Sequence, residues 1–224
     1  STLFPYTTLF RSPEWLHYSH LYVFGLSLHQ TEYQIIEKGF QMGLSKEQIT
    51  NLFSSQQAMT QPKLTPMDVL NNYTGIRNGK IKADFFSDCA TIPYPTNLNK
   101  NEKNLLILDD CILGKQRKAE AYYTRGRHNN CDTFYISQNY FLLSRQTIRE
   151  NSNFIILFQQ DSKNLTHIHA DHCGDDMSLD EFKQFCRSVW SSAGHNAIVI
   201  DLTSYKTSGK YRMNFDTFYI PKQC

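Results

Sequence analysis

The stretch Asn104-Leu-Leu-Ile-Leu108-Asp109-Asp110 constrains this chain more than any other. Its run of consecutive apolar residues leaves no polar face, so as a strand it has to be covered on both sides. Strands of that kind belong to parallel sheets packed between helices. The two carboxylates that end it stay out of an apolar core, because an unpaired buried charge is costly. They mark the strand's carboxyl end, the edge where open α/β sheets gather their chemistry.

Other apolar runs extend the pattern. His20 to Phe24 reads as a buried strand ending at Gly25, and Thr31 to Phe40 has helical spacing with Thr31 as its N-cap. Ser45-x-x-Gln48 and Ser178-x-x-Glu181 are capping boxes that open further helices. Residues 54–66 are a polar connector, 66–72 a short helix, and the Pro- and Asn-rich 93–104 a surface loop. After the central strand come a basic helix over 115–123, a strand over 133–137, a short helix over 145–151 and a strand over 154–158. Residues 197–200 form a strand ending at Asp201, and 211–220 form another. Strands alternating with helices predict an α/β fold with a mostly parallel sheet covered on both faces.

At 224 residues one core is the default, and 23 basic against 21 acidic residues leave the chain near neutral, so charge neither demands nor excludes nucleic acid. Nothing approaches the roughly 18 apolar residues of a membrane span. The six cysteines form no C-x-x-C pair, so free thiols and an intracellular location are expected. The sequons at Asn72 and Asn164 then carry no meaning.

The acid pair has an ordered company. In P-loop NTPases a first carboxylate at such a strand end holds Mg²⁺ and a second acid polarises the attacking water. A second strand ends in Ser137-Gln138, where a Gln can sense a γ-phosphate or orient that water. Between the two strands, Arg125 and Arg127 flank Gly126, expected to take a tight turn that exposes both guanidinium groups. His167, His169, His172 and Cys173 match no standard zinc spacing and are read as structural, as is Cys111. Lys115, Arg117 and Lys118 with Tyr122 and Tyr123 form a basic stretch open to two readings, a contact with DNA or a neighbouring subunit, or a solvated helix face.

The segments NLLILDDCILGKQRKAEAYYTRGRHNNCDTFYISQNYF (104–141) and RQTIRENSNFIILFQQD (145–161) closely resemble the genome-packaging ATPase of Maverick/Polinton elements, which are virus-like DNA transposons. Its relatives include the packaging ATPases of poxviruses, within the FtsK–HerA group. HLYVFGLSLHQTEYQ (20–34) and IVIDLTSYKTSGKYRMNFDTFYIP (198–221) resemble the same family, so the likeness spans most of 14–221. It implies a P-loop NTPase sheet, with ATP and Mg²⁺ as cofactors. Asp109 would be the metal-coordinating acid, Asp110 the catalytic acid and Gln138 the sensor. Arg125 or Arg127 would be a finger reaching a neighbour's nucleotide, with Arg145 and Arg149 as rivals and His128 in support. The implied partners are a homo-oligomeric ring, double-stranded DNA and capsid or portal-like proteins, with no membrane, at the host nucleus or a viral assembly site.

The family should also carry G-x-x-x-x-G-K-[ST] ahead of residue 20, where backbone N–H groups and a Lys cradle phosphates. No such motif occurs in the 224 residues. Residues 2–12, TLFPYTTLFRS, are the translation of a string that resembles a common sequencing adapter, so 1–12 is read as non-native and 13–224 as a single, incomplete ATPase domain lacking its first strand. Two other readings stand beside a packaging-motor fragment. One is a catalytically dead relic of a transposon copy, and the other an FtsK–HerA ATPase of recombination or helicase type.

Overall fold

The first strand, β1 (His20–Gly25), lies at the centre of the first of two sheets. In the computed structural model, residues 16–45, 47–49, 66–71, 79–111, 116–192 and 194–222 are described. The adapter-like segment, most of the connector and Lys115 lie outside them. The chain divides into two units, Ser1–Ser137 and Gln138–Cys224.

In the first unit β1 is followed by α1 (Thr31–Gln41), α2 (Pro66–Asn71), β2 (Lys82–Phe86), β3 (Asn104–Asp109), α3 (Arg117–Arg125) and β4 (Cys131–Ile136). The four strands are all parallel, in the order β2-β1-β3-β4. Successive side chains point to opposite faces. Leu21, Val23, Leu105 and Ile107 therefore join Tyr33, Ile36 and Phe40 of α1 in one cluster. Tyr22, Phe24, Leu106 and Leu108 join Ala119 and Tyr122 of α3 in another. Helices cover both faces, as the unbroken apolar run of β3 requires. Each fully buried Leu or Ile contributes about 1.5–3 kcal/mol relative to exposure.

Local signals decide the helix starts. Ser45 and Gln48 close a capping box, with the Ser45 N–H donating to Oε1 of Gln48 at 2.7 Å and the Gln48 N–H to Oγ of Ser45 at 3.2 Å. Thr31, expected as a cap, is instead the first helical residue. Gln30 precedes it in extended conformation, and no side chain caps the turn. β2 has no counterpart in the sequence reading, because its half-exposed edge carries no continuous apolar run. The 93–104 loop contributes to the core through Pro95 and Leu98.

The second unit contains β5 (Phe154–Leu157), α4 (Ser162–His172), α5 (Leu179–Ser191), β6 (Ile198–Asp201), β7 (Tyr211–Met213) and β8 (Thr217–Tyr219). Its four strands are antiparallel in the order β5-β6-β7-β8, so the parallel arrangement holds for the first unit alone. The predicted strand over 211–220 is a hairpin, because Asn214 turns the chain with φ 56°. α5 begins on Ser178, whose Oγ accepts the Glu181 N–H at 3.2 Å. The Glu181 carboxylate accepts from the Tyr219 hydroxyl at 2.9 Å and the Lys222 N–H at 2.8 Å. α4 was not foreseen, although Asp161 caps it by accepting from the N–H groups of Lys163 and Asn164, both at 2.8 Å. Phe182, Phe185, Cys186 and Val189 of α5 pack with Leu165 and Ile168 of α4 on Ile198, Ile200 and Tyr211. No helix among the described residues is long and apolar enough to cross a membrane.

Candidate functional site

Asp109 is the last residue of β3, paired in register with Gly25 of β1 on one side and Ile136 of β4 on the other. A Cβ at position 25 would be in ordinary contact with the Cβ of Asp109 at 3.7 Å and tight only against the Leu28 side chain at 3.3 Å. The buried Tyr33 of α1 donates its hydroxyl to Oδ2 of Asp109. A buried donor of this kind fixes the carboxylate's orientation, and hydrogen bonds to charged acceptors are about twice as strong as neutral ones.

Asp110 leaves the strand with φ 51°, in the left-handed region that Asp tolerates better than most residues. Its N–H donates to the Ile136 carbonyl at 3.0 Å, so the turn is held against β4. Non-glycine residues held in this region concentrate at functional sites. Cys111 follows, buried at 2% exposure beneath the pair. Burial first, then Cys89 and the two aspartates, push its thiol pKa up, which leaves a packing residue rather than a nucleophile.

The arginine segment stands elsewhere. α3 runs back from the acid end of β3, so Arg125, Arg127 and His128 sit at the amino end of β4, beside Asn104 rather than Asp109. Five residue steps, about 16 Å at roughly 3.3 Å per residue, separate the two edges. All three side chains are exposed. Gly126 is not the tight turn expected of it. Its φ of −57° is ordinary helix, and the left-handed residue is Asn130 at φ 52°. A Cβ at 126 would stand 3.2 Å from the Cys131 carbonyl, a tight contact that would need the backbone to give by a few tenths of an ångström. Buried Asn104 ties this edge together by donating to the carbonyls of Asn99 and Glu102, both at 3.0 Å.

Gln138 is exposed, two residues past the end of β4, and begins the second unit. Within that unit the rival arginines differ. Arg149 is 7% exposed, bonded to Asp171 and stacked over the Tyr140 ring, whereas Arg145 is largely exposed and 3.6 Å from Asp171. The histidines each have a separate partner. His169 meets the Met177 carbonyl at 2.8 Å, His172 meets the Tyr140 hydroxyl at 2.7 Å, and His167 lies against the Phe141 ring. Burial holds the His172 pKa below its ordinary value. In the basic stretch, Lys118 bonds the carbonyls of Ala90 and Ile92, and buried Tyr122 bonds that of Pro93 at 2.9 Å. Those two residues hold the 88–98 loop, which leaves Arg117 as an exposed cation of the stretch.

The structure thus gathers Asp109 and Asp110 with Tyr33 and Gly25, and places Arg125 and Arg127 at the opposite edge. Sequence reasoning missed Tyr33. It lies within the predicted helix over 31–40, and nothing local pairs it with an acid 76 residues on.

These features define an α/β protein with a four-stranded parallel sheet, flanked by helices and ending in a pair of carboxylates. No family model and no curated protein sequence matches the chain. Two solved structures are similar to it. One is the genome-packaging NTPase B204 of Sulfolobus turreted icosahedral virus 2 in complex with ATP-γS, at 10% identity and a TM-score of 0.42, covering 88% of this chain and 96% of that one. The other is B204, the DNA-packaging ATPase of Sulfolobus turreted icosahedral virus, at 11% identity and a TM-score of 0.42, covering 90% and 98%.

Proposed function

We propose that this chain is the acid-and-sensor part of an ATP-driven motor that packages double-stranded DNA for a virus-like element of the Maverick/Polinton kind. The observation that carries the reading is the placement of Asp109 and Asp110 at the carboxyl edge of a central parallel strand, one oriented by Tyr33 and the other held in a left-handed turn. The block 104–161 resembles that family in the same order of acids, arginines and Gln.

Two carboxylates at a strand end are the hard oxygen donors that suit Mg²⁺, and the fixed main chain of this turn fits that use. Bound Mg·ATP would supply the phosphoryl group and neutralise its developing charge. Asp109 would hold the ion through water, and Asp110 would accept a proton from the attacking water. Gln138 would orient that water. Arg125 and Arg127 lie at the far edge of their own sheet, so in a ring they would serve a neighbour's nucleotide rather than their own. Capsid or portal-like proteins would receive the DNA, at the host nucleus or an assembly site.

Because the 224 residues hold no G-x-x-x-x-G-K-[ST], the chain alone should release phosphate from ATP no faster than buffer. Joined to its upstream coding sequence, it should turn over ATP, and Asp110→Asn should lower that rate by about 10²–10⁴-fold, the usual worth of a positioned general base. Turnover by the 224-residue chain, or an unchanged rate in the Asp110→Asn protein, would overturn the proposal.

A further inference from the structure

Between β6 and β7 the chain makes a loop over 202–210 whose polar groups are not used by the acid pair. The loop is firmly anchored. Asp201 accepts from the Thr203 N–H at 3.0 Å, the Thr203 hydroxyl at 2.7 Å, the Ser204 hydroxyl at 3.0 Å and Arg212 at 2.5 Å. The Ser208 N–H closes back on the Tyr205 carbonyl at 3.0 Å. Gly209 ends it at φ +100°, with the Phe218 ring 2.8 Å from where a Cβ would be.

This anchored loop carries Tyr205 at its tip, 83% exposed, the most exposed of the large apolar side chains described. Tyr205 and Lys206 open onto a cavity of about 370 Å³, lined also by Asp176, Ser204, Thr207 and Lys210. The one carboxylate there is already engaged, because Asp176 bonds Lys210 and accepts the Tyr211 hydroxyl at 2.7 Å. Lys206 makes no ion pair among the described residues and acts on Asp176 only at longer range. Three cations, Lys206, Lys210 and Arg212, thus face two carboxylates, and the uncompensated charge sits beside two hydroxyls and an exposed aromatic ring. Lys, Ser/Thr and Tyr side chains make up much of the contact set by which proteins hold nucleic-acid phosphates without reading sequence.

We infer that the 202–210 loop is a contact for the nucleic-acid backbone: Lys206 with the hydroxyl of Thr207 receives one phosphate, and Tyr205 lies along the adjoining sugar. The inference rests on the packaging reading for its choice of DNA as the partner. It adds the surface that grips the strand, on an element separate from the hydrolytic acids. A preformed loop suits a motor, since little backbone entropy is lost on each contact.

The test is a titration of a labelled DNA duplex with the full chain, read by fluorescence anisotropy over a series of salt concentrations. Lys206→Ala should weaken binding equally for all duplex sequences and reduce the slope of log affinity against log salt by about 1. Tyr205→Ala should weaken binding several-fold. Both side chains lie on the surface of the loop, so the thermal melting profile should not move. Lys163→Ala, which removes an exposed cation of α4, should leave the slope unchanged. An equal drop for Lys163→Ala would reduce the effect to overall charge and overturn the inference. Displacement of the duplex by inorganic phosphate at matched ionic strength would assign the notch to a free anion and also overturn it. Unchanged binding in both loop variants, or no duplex binding by the wild-type chain, would refute the loop assignment. The packaging reading has its own separate test in the Asp110→Asn turnover.

Discussion

β3 and β6 are near-twins in sequence, Leu-Leu-Ile-Leu-Asp and Ile-Val-Ile-Asp, both almost wholly buried and both ending in an aspartate. Their acids live differently. Asp201 accepts hydrogen bonds from Thr203, Ser204 and Arg212 and is 4% exposed. Burial works to raise its pKa, but those donors outweigh it and hold the carboxyl below the usual carboxylate range. Asp109 is half-buried at a sheet edge, takes the Tyr33 hydroxyl, and is followed by a second acid in a left-handed turn. An apolar strand ending in Asp is therefore no signature by itself. In the antiparallel unit the acid anchors a loop, and in the parallel unit it stands at the edge where a ligand can approach.

The largest effect that would break this contrast is on stability. Asp201→Ala leaves the Arg212 guanidinium without its charge partner, which should cost about 3–5 kcal/mol in chemical denaturation. Asp109→Ala removes the charge-assisted bond from the buried Tyr33 hydroxyl and should cost less, about 1.5–3 kcal/mol. Equal losses at the two positions would mean that both acids are structural.

Acid sharpens the comparison further. The Asp201 and Asp176 carboxyls are held below their ordinary 3.8, Asp176 because bonds from Lys210 and Tyr211 outweigh the effect of burial. Their stabilisation is complete above pH 3.8 and is lost as pH falls through the lower folded values. His172, depressed by burial, adds a loss that begins as pH drops below its ordinary 6.5. Hydrogen exchange should show β6 and β7 amides losing protection on acidification before those of β1 and β3. The acid limb below pH 3.8 should shrink in Asp201→Ala. Simultaneous loss in both sheets would remove the distinction.

Much of the first unit was legible because its strands announce themselves. A strand covered on both faces has to be apolar along its covered length, as residues 21–24 of β1 and 105–108 of β3 are. The capping boxes at Ser45 and Ser178 were legible for a local reason, since their partners are three residues away. β2 was not legible, because an edge strand buries too little to show a run. The direction of the second sheet was not legible either. A buried strand reads alike in parallel and antiparallel company, and the turn at Asn214 carries no signal strong enough to split 211–220.

The sequence by itself determined the α/β class, the apolar strand of the first sheet and the adjacency of Asp109 and Asp110, because burial and covalent order act locally. Tertiary structure decided how each acid is held. It brought Tyr33 to Asp109 across 76 residues, engaged Asp201 with Arg212, and sent Arg125 and Arg127 to the far edge of their own sheet. The physical reason is that parallel pairing returns each crossover to the amino edge. A motif continuous in sequence is thereby divided between opposite ends of the same strands.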